Sequence, residues 1–281
     1  AGQSLLLDVE DTGKRLIAVG ERGHVLGSLD GKEWVQVPTP TRATLTAVDF
    51  ADASNGWAVG HDAAIIRSRD GGRSWVLQNF EPGKEQPFLD VLFLDAKRGF
   101  AVGAYSMMYA TSDGGETWED YETPIREDQW HFNAITRLNN GHLFITGEAG
   151  TLAYSENEGE TWESLESPYE SSMFDGVPVG ETGVMIVGLR GNVFVTDDPA
   201  AGEWRPLQMP GENSLIGASA LPNGEVVMVG INGIIYTTRN GATAVEVLNN
   251  PVGITLGAVQ PVADALIVVG EAGTQFIPNK Q

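Results

Sequence analysis

Short apolar runs separated by polar turn residues recur along the whole chain. In one representative stretch they are Leu45 to Phe50, Trp57 to Val59, Ala64 to Arg67 and Ser74 to Gln78. Runs of this length, rich in Val, Ile, Leu and aromatic residues and bounded by Gly, Asn, Asp or Pro, predict β-strands. No stretch of a dozen residues shows the 3.6-residue period of an amphipathic helix. The pattern predicts repeated four-stranded antiparallel meanders, whose strands we label a (inner), b, c and d (outer).

One small-apolar-glycine segment marks each repeat. Its glycines lie 40 to 44 residues apart, which is close to the blade period of a β-propeller. We therefore predict an all-β, seven-bladed β-propeller of four-stranded antiparallel blades, forming a single domain over residues 1–281. The seventh repeat has strands a, b and c and then stops, so either residues upstream of Ala1 supply its outer strand or the last blade has three strands. The seven marker glycines are Gly20, Gly60, Gly103, Gly147, Gly188, Gly230 and Gly270.

A second motif, the Asp-box, lies between strands c and d, most clearly from Ser68 to Trp75 and from Thr111 to Trp118. Its Asp or Asn side chain accepts hydrogen bonds from turn N–H groups, its Gly takes a positive φ, and its Trp packs between neighbouring sheets. A calcium loop needs alternating oxygen ligands and a terminal bidentate Glu, so we interpret the motif as structural. Its predicted structural residues are Asp30, Trp34, Asp70, Trp75, Asp113, Trp118, Asn157 and Trp162.

The period, the Gly-x-x-Gly turns between strands b and c, and the Asp-box followed by Trp resemble one group of BNR/Asp-box propellers. That group is the photosystem II stability/assembly factor-like family, and the resemblance is strongest from Leu16 to Trp162. It implies a seven-bladed propeller that is exported across a membrane and is not an enzyme. In photosynthetic organisms it implies binding of a photosystem II subunit during assembly.

Candidate binding residues fall on one face of the predicted propeller, because the b–c and d–a connections of such meanders emerge on the same side. Loops on a rigid scaffold commonly carry binding residues, and Arg and aromatic side chains are enriched at binding hot spots. We therefore predict a partner-binding face there. Its predicted residues are Arg22, Arg42, His61, Asp62, Tyr105, Arg126, Trp130, His131, Tyr169 and Arg190.

The expected partner is a protein: a peptide, a chain terminus or a loop of a membrane protein. Arg22, Arg42 and Arg190 would pair with carboxylates, and the resemblance implies that basic residues contact the client. The aromatic side chains of Trp130, Phe132 and Tyr169 would supply apolar contact area. We expect a monomer with no cofactor and no catalytic residues.

The net charge of the chain disfavours two classes of partner. Lys and Arg number 17 and Asp and Glu 38, which gives a net charge of −21. Such a chain repels phosphate, so nucleic acids and anionic membrane surfaces are disfavoured.

The absence of Cys excludes disulfides, thiolate zinc sites and Cys nucleophiles. Since no run of 18 apolar residues occurs and the chain opens on Ala1 without a basic-plus-apolar leader, we expect no membrane insertion and a mature exported protein. We place it in the periplasm, or in the thylakoid lumen if its source is photosynthetic.

A sialidase-like glycoside hydrolase of the BNR type is the alternative function. Asp-boxes also occur in sialidases, and the predicted face holds Tyr105, Glu148 and several arginines that such chemistry uses. Against it, the chain lacks an Arg-Ile-Pro signature near the N-terminus, and a sialidase ring has six blades. A metal site is not predicted, because no two of the four histidines share a metal-ligand spacing.

Overall fold

The computed structural model describes residues 3–239, 242–248, 250 and 252–279. It is an all-β chain of seven antiparallel sheets, a seven-bladed β-propeller in which six blades have four strands and the last has three. The predicted fold is confirmed, including the three-stranded seventh blade. The residues form two compact units, one containing the chain up to Tyr121 together with Gln260 onward, the other containing Glu122–Val259. The single domain over 1–281 stays a prediction.

The first unit contains blades 1, 2 and 3 and most of blade 7. In blade 2 the predicted strands match the observed ones to within two residues at each end. The strands are β1 Leu6–Asp11, β2 Leu16–Gly20, β3 Val25–Ser28 and β4 Val35–Val37; β5 Leu45–Phe50, β6 Gly56–Gly60, β7 Ile65–Ser68 and β8 Val76–Asn79; and β9 Phe88–Phe93, β10 Gly99–Gly103, β11 Met108–Thr111 and β12 Glu119–Asp120. Blade 7 is β25 Leu256–Val262, β26 Ala265–Gly270 and β27 Gly273–Pro278.

The second unit contains blades 4, 5 and 6, each an antiparallel meander like the others. The strands are β13 Phe132–Arg137, β14 Leu143–Gly147, β15 Leu152–Ser155 and β16 Glu163–Ser164; β17 Met173–Val179, β18 Gly183–Gly188, β19 Val193–Thr196 and β20 Arg205–Pro206; and β21 Leu215–Ala220, β22 Val226–Gly230, β23 Ile235–Arg239 and β24 Ala244–Leu248.

The helical segments of the described residues are three-residue 3₁₀ turns. Over the same part of the chain, no helix combines the length and apolarity needed to cross a membrane. Six of the turns join strands b and c, namely Glu21–Gly23, His61–Ala63, Ala104–Ser106, Glu148–Gly150, Leu189–Gly191 and Ile231–Gly233. The other three are Pro82–Lys84, Pro124–Arg126 and Pro199–Ala201.

Strand b is the buried centre of every blade. All residues of β2, β6, β10, β14, β18, β22 and β26 are buried, which explains why the marker segments contain only small and apolar residues. The glycine that ends strand b is required because the backbone just before strand a passes very close to it. At Gly60 a Cβ would lie 2.0 Å from the carbonyl oxygen of Thr44, so no larger residue fits there.

That same carbonyl makes a hydrogen bond. The Thr44 oxygen accepts the N–H of His61 at 2.9 Å, and a β-bulge in strand a lies beside it, between Leu45 and Ala47. Five other blades repeat the contact, with Leu5, Pro87, His131, Ser172 and Ser214 as the acceptors. The start of strand a is therefore fixed to the beginning of the b–c turn in six blades.

Side chains join the inner strands of successive blades within each unit. In the first unit Asp8 Oδ2 accepts the N–H of Val48 at 2.8 Å, and Asp49 Oδ2 accepts the N–H of Phe93 at 2.6 Å. In the second unit Asp175 Oδ2 accepts the N–H of Ala218 at 2.8 Å. Neighbouring inner strands are thus connected by carboxylate side chains that accept backbone N–H groups of the next blade.

The Asp-box turns show a dense local hydrogen-bond pattern. Asp70 Oδ1 accepts the N–H groups of Arg73 at 3.0 Å and Ser74 at 2.9 Å, and its Oδ2 accepts the Ser74 hydroxyl at 2.6 Å. Asp113 makes equivalent contacts to Thr117, and hydrogen bonds from that backbone and side chain hold the pKa of Asp113 at about 2. In the amide version, Asn157 Oδ1 accepts the N–H of Thr161 at 2.9 Å.

The tryptophans of these turns differ in burial. Trp75 and Trp162 are buried, whereas Trp34 and Trp118 are half-buried. The Trp75 ring meets Phe50 edge to face with the ring centroids 6.0 Å apart and belongs to a core cluster with residues of blades 1 and 2. The ring of Trp75 therefore packs where two neighbouring sheets meet.

Replacing Trp75 by Ala is expected to lower the free energy of unfolding by ~3–5 kcal/mol, because it empties a well-packed space between sheets. Val76→Ala is the matched control, since the neighbouring Val76 side chain is 60% exposed whereas Trp75 is 7% exposed. Chemical denaturation of both variants measures the difference. Equal stability of the two variants would show that Trp75 does not hold the sheets together.

Asp49 titrates in an unusual range. Burial raises its pKa to about 7, the Phe93 N–H bond opposes that rise, and the charge of Asp8 adds to it. Glu10 on the same inner strand as Asp8 has a pKa raised well above its usual range, mainly by burial. Because the unfolded pKa of Asp is near 3.9, the folded protein binds this proton more tightly than the unfolded chain does. Stability from Asp49 is therefore present below about pH 4 and is lost as the pH rises through 7.

The difference in unfolding free energy between Asp49→Asn and the wild type should shift in favour of the variant by about 1–2 kcal/mol when the pH rises from 5 to 8. The reason is that Asn keeps an acceptor oxygen but does not ionise. Thermal unfolding at both pH values measures the gap. Asp52→Asn is the control, because hydrogen bonds from Asn55 lower the pKa of Asp52 and it stays ionised over this range. A gap for Asp49→Asn that stays constant with pH would contradict the assignment.

Candidate functional site

The b–c turns of six blades share one backbone conformation. In the first, Arg22 and Gly23 have φ of 56° and 69°, and the N–H of His24 donates to the Glu21 carbonyl at 3.0 Å. Two left-handed central residues closed by such a bond are the features of a type I′ hairpin turn. The first left-handed position is occupied by Arg22, Asp62, Tyr105, Ala149, Arg190 and Asn232, and the second by Gly23, Ala63, Ser106, Gly150, Gly191 and Gly233.

The two positions have opposite surroundings. At the second, the d–a loop of the same blade crosses closely: a Cβ on Gly23 would lie 2.2 Å from the Thr41 carbonyl oxygen, and the N–H of Ala63 donates to Gln86 O at 3.2 Å. At the first, the side chain is exposed in every turn except that of the half-buried Asp62. The loop therefore holds the turn through its second position and leaves the first position facing solvent.

Arg22 and Arg42 are brought together in the first unit. The space beside Gly23 is bounded by Thr41 O and by the Cα of Arg42 at 3.2 Å from the Cβ that Gly23 lacks, so the two arginines lie on contacting segments. Both side chains are exposed. Within the described residues neither forms an ion pair with a carboxylate. Two exposed arginines on contacting segments are thus available to an external anion.

His61, Asp62 and Tyr105 also lie on the first unit, in the b–c turns of blades 2 and 3. The loop from Asn79 to Pro87 docks on the blade 2 turn through Glu81, whose N–H donates to Asp62 O at 2.8 Å. That loop exposes Phe80, 44% accessible, and the neighbouring turn exposes Tyr105, 57% accessible. Phe80 lies in a predicted d–a loop but was not among the predicted binding residues, since nothing in the sequence distinguishes an exposed loop aromatic from a buried one.

Arg126, Trp130 and His131 lie in the second unit, in the loop before β13. Arg126 is half-buried and pairs with Glu122 at 3.5 Å. His131 Nδ1 lies 3.3 Å from Glu148 Oε2 of the blade 4 turn, and Trp130 is 44% exposed. The His131–Glu148 pair links this loop to the turn, and Trp130 is the exposed apolar group beside it in sequence.

Tyr169, Phe132 and Arg190 complete the second unit. Tyr169 is half-buried, with its ring 6.2 Å from that of Phe194, and packs against the blade 4 and 5 core. Phe132 is fully buried as the first residue of β13, so the expectation that it offers contact area to a partner is wrong. Arg190 is exposed, its backbone N–H donates to Ser214 Oγ at 3.0 Å, and it forms no ion pair with any described residue.

For the alternative hydrolase, Tyr105 and Glu148 belong to different units. Glu148 Oε2 is engaged, since the His131 backbone N–H approaches it at 3.5 Å in addition to the imidazole. The described residues contain no group of three or more His, Asp or Glu side chains arranged to hold a metal ion. The partner-binding roles of the ten predicted residues stay predictions.

Comparison with known proteins gives a consistent family. The family described as Photosynthesis system II assembly factor YCF48 matches residues 26–88 and 78–205, together more than half of the chain. Photosystem II stability/assembly factor HCF136, chloroplastic, from Cyanidioschyzon merolae is 37% identical over 65 residues, which are 22% of this chain and 15% of the relative's length. The chain thus spans well under two thirds of that curated relative.

Two solved structures share the fold. The structure titled YCF48 bound to D1 peptide superposes with a TM-score of 0.81 at 16% identity, over 100% of this chain and 95% of that one. A GH74 xyloglucanase from Xanthomonas campestris superposes with a TM-score of 0.76 at 12% identity, over 97% of this chain and 52% of that one. At such identities these likenesses show the propeller fold alone.

Gly23→Ala is expected to destabilise the protein by ~2 kcal/mol or more. The added Cβ would clash with the Thr41 carbonyl oxygen, and the left-handed backbone conformation is also unfavourable for Ala. Gly13→Ala is the control, since Gly13 has a φ of 77° and nothing lies within 4 Å of the added Cβ. Thermal unfolding of both variants separates the loop contact from the backbone strain. Equal losses would mean that the d–a loop does not rest on the turn.

Proposed function

Because the chain belongs to the photosynthesis system II assembly factor YCF48 family, we propose that it is a non-catalytic propeller that binds a protein partner on the face formed by its b–c turns and d–a loops. The family match and the likeness to a YCF48 structure that holds a peptide support a protein ligand. The turns and loops support the choice of face, since rigid strands position exposed Arg and aromatic side chains there.

The unpaired Arg22 and Arg42 carry the proposal. In a chain of net charge −21, several other basic side chains are paired with carboxylates: Arg98 pairs with Asp95 at 2.8 Å and Arg239 pairs with Glu225 and Glu246. Two exposed arginines on contacting segments, neither paired with a carboxylate of the described residues, suit recognition of an acidic side chain or a terminal carboxylate. The surrounding negative charge limits binding of anions elsewhere on the surface.

The client we propose is an extended segment, either a chain terminus or a loop of a membrane protein. Within the first unit, Phe80 and Tyr105 offer exposed aromatic area for its apolar side chains. Trp130 is an exposed aromatic candidate contact of the second unit, considered by itself. His61, Asp62, Arg126, His131, Tyr169 and Arg190 remain further candidate contacts. Arg126 and Tyr169 are the most constrained of these, because they are already engaged within their own unit.

We further propose that the protein acts as a monomer outside the cytoplasm, in the periplasm or, in a photosynthetic source, in the thylakoid lumen. The chain has no Cys that an oxidising compartment would alter. Its large net charge of one sign favours solubility and opposes self-association.

Arg22→Glu with Arg42→Glu should weaken binding of a short acidic peptide with a free C-terminal carboxylate by at least about tenfold. The reason is that the double variant replaces attraction with repulsion at the contact. Isothermal titration of the peptide and of its C-terminally amidated form measures the effect and separates terminal from side-chain recognition.

The matched control is Arg73→Glu with Lys97→Glu. It makes the same charge change at two exposed residues in a c–d and an a–b turn. The control should bind like the wild type. Equal weakening in both double variants would indicate a general charge effect, and no weakening in either would exclude the Arg22–Arg42 face as the binding site.

A further inference from the structure

A cavity of about 320 Å³ lies in the first unit, where blade 1 meets blade 7. Its walls are the a–b turns of both blades and the c–d turn of blade 1, and its volume is at the lower end of the range for small-molecule pockets. The cavity thus involves connections other than the b–c turns and d–a loops proposed for the client. Its charged lining residues are Asp11, Lys14, Arg15, Asp30 and Asp264.

The a–b turn of blade 1 departs from the same turn in its neighbours. In blade 3, Asp95 Oδ1 accepts the N–H of Arg98 at 3.0 Å and its Oδ2 accepts the Arg98 Nε–H at 2.8 Å. Asp52 makes the equivalent pair of contacts in blade 2. In blade 1 the position is Thr12, whose single hydroxyl oxygen accepts the backbone N–H of Arg15 at 3.2 Å. A second oxygen for the guanidinium is therefore missing from this turn.

The Arg15 guanidinium lies instead against strand c of its own blade. A Cβ on Gly27 would lie 2.9 Å from the Cζ of Arg15, so glycine in β3 makes room for this group. The corresponding strand c residues of blades 2 and 3 are Arg67 and Ala110. The Nε of Arg15 is buried and makes no hydrogen bond with a described residue, and Arg15 forms no ion pair with any of them. A buried donor of this kind gains from an acceptor that a ligand supplies.

The Asp-box of blade 1 departs from the repeat as well. In blade 2, Asp70 Oδ2 accepts the Ser74 hydroxyl at 2.6 Å. The blade 1 box is one residue shorter and lacks this hydroxyl. Asp30 Oδ1 accepts the N–H of Glu33 at 2.9 Å, whereas no described residue donates to Asp30 Oδ2. Hydrogen bonds, first of all from the Glu33 N–H, lower the pKa of Asp30, so this carboxylate is ionised at neutral pH.

The two departures place an unpaired guanidinium and a carboxylate oxygen without a donor in the lining of one cavity. A simple anion would be repelled by the three carboxylates of the lining, and a simple cation by Lys14 and Arg15. A molecule that carries both charges can pair with both. Leu29, which is 80% exposed, and Val262 also line the cavity and would lose apolar surface to water when a ligand covers them.

We propose that this cavity binds a small zwitterion of the α-amino acid class, with Arg15 holding the carboxylate and Asp30 holding the ammonium group. Leu29 and Val262 contact the side chain of the ligand, which favours an apolar one. The site is independent of the proposed client-binding face. Its ligand requires neither Arg22 nor Arg42.

The first test varies the ligand and leaves the protein unchanged. Isothermal titration of the wild type compares L-leucine with N-acetyl-L-leucine, which lacks the ammonium group, and with L-leucine amide, which lacks the carboxylate. L-leucine should bind at least about tenfold more tightly than either analogue, because only the zwitterion pairs with both side chains. Equal affinity for the three compounds, or no binding of L-leucine at millimolar concentration, would overturn the proposal.

The second test removes one charge of the protein at a time. Arg15→Gln should raise the dissociation constant of L-leucine by at least about tenfold and make L-leucine and its amide bind equally. Asp30→Asn should cause a similar loss and make L-leucine and its N-acetyl form bind equally. Unchanged affinity for L-leucine in both variants would overturn the assignment of these two residues.

The matched controls are Arg98→Gln and Asp70→Asn, which make the same changes at the equivalent positions of neighbouring blades. Both should bind L-leucine like the wild type, and an equal loss in these controls would also overturn the proposal. The variant with Arg22→Glu and Arg42→Glu should bind L-leucine normally, and Arg15→Gln should bind the acidic peptide normally. Failure of this site and failure of the client-binding face are therefore distinguishable.

Discussion

One backbone contact organises each of six blades: the carbonyl before strand a presses on the glycine that ends strand b. At that distance it accepts the N–H of the next residue, as Thr44 O does from His61. A Cβ on the glycine would clash with this carbonyl oxygen, so the hydrogen bond requires glycine at this position. The contact ties the end of each d–a loop to the start of each b–c turn, and the buried strand b fixes both relative to the blade core.

The candidate binding face follows from this arrangement. Once the turn and loop are joined, the second turn residue lies against the loop, and the first is exposed in five of the six turns, Asp62 being half-buried. This separation lets the chain place Arg, Asp, Tyr, Ala and Asn at equivalent positions on one backbone. In the first unit it also brings the segments that carry Arg22 and Arg42 into contact, and neither exposed arginine has a carboxylate partner among the described residues. Such arginines gain from an external anion.

Carboxylates on the inner strands have a different role from those at the surface. Asp8, Asp49 and Asp175 each reach a backbone N–H of the next blade, so side chains connect blades that have no strand ladder in common. For Asp49, burial outweighs the backbone hydrogen bonds and raises the pKa to about 7. Asp113 is exposed, and hydrogen bonds from Thr117, Thr111 and Glu116 hold its pKa at about 2. The same residue type therefore contributes to stability in opposite pH ranges, depending on how much water surrounds it.

The sequence alone determined the repeat, the strand order and the number of blades, because the marker glycines and apolar runs report local and nearest-neighbour requirements that recur every blade. It also indicated which connections share a face, as the alternation of an antiparallel meander dictates. It did not determine which loop residues are available to bind: Phe132 is buried where the strand begins, Arg126 pairs with Glu122, and Phe80 is exposed although it was not predicted to bind. Nor did it reveal the left-handed conformation of Arg22, Tyr105 and Arg190, or the raised pKa of Asp49. Those properties depend on contacts between segments some twenty to forty residues apart, such as Gly23 with Thr41 and Asp49 with Phe93, and only the packed tertiary structure brings such segments together.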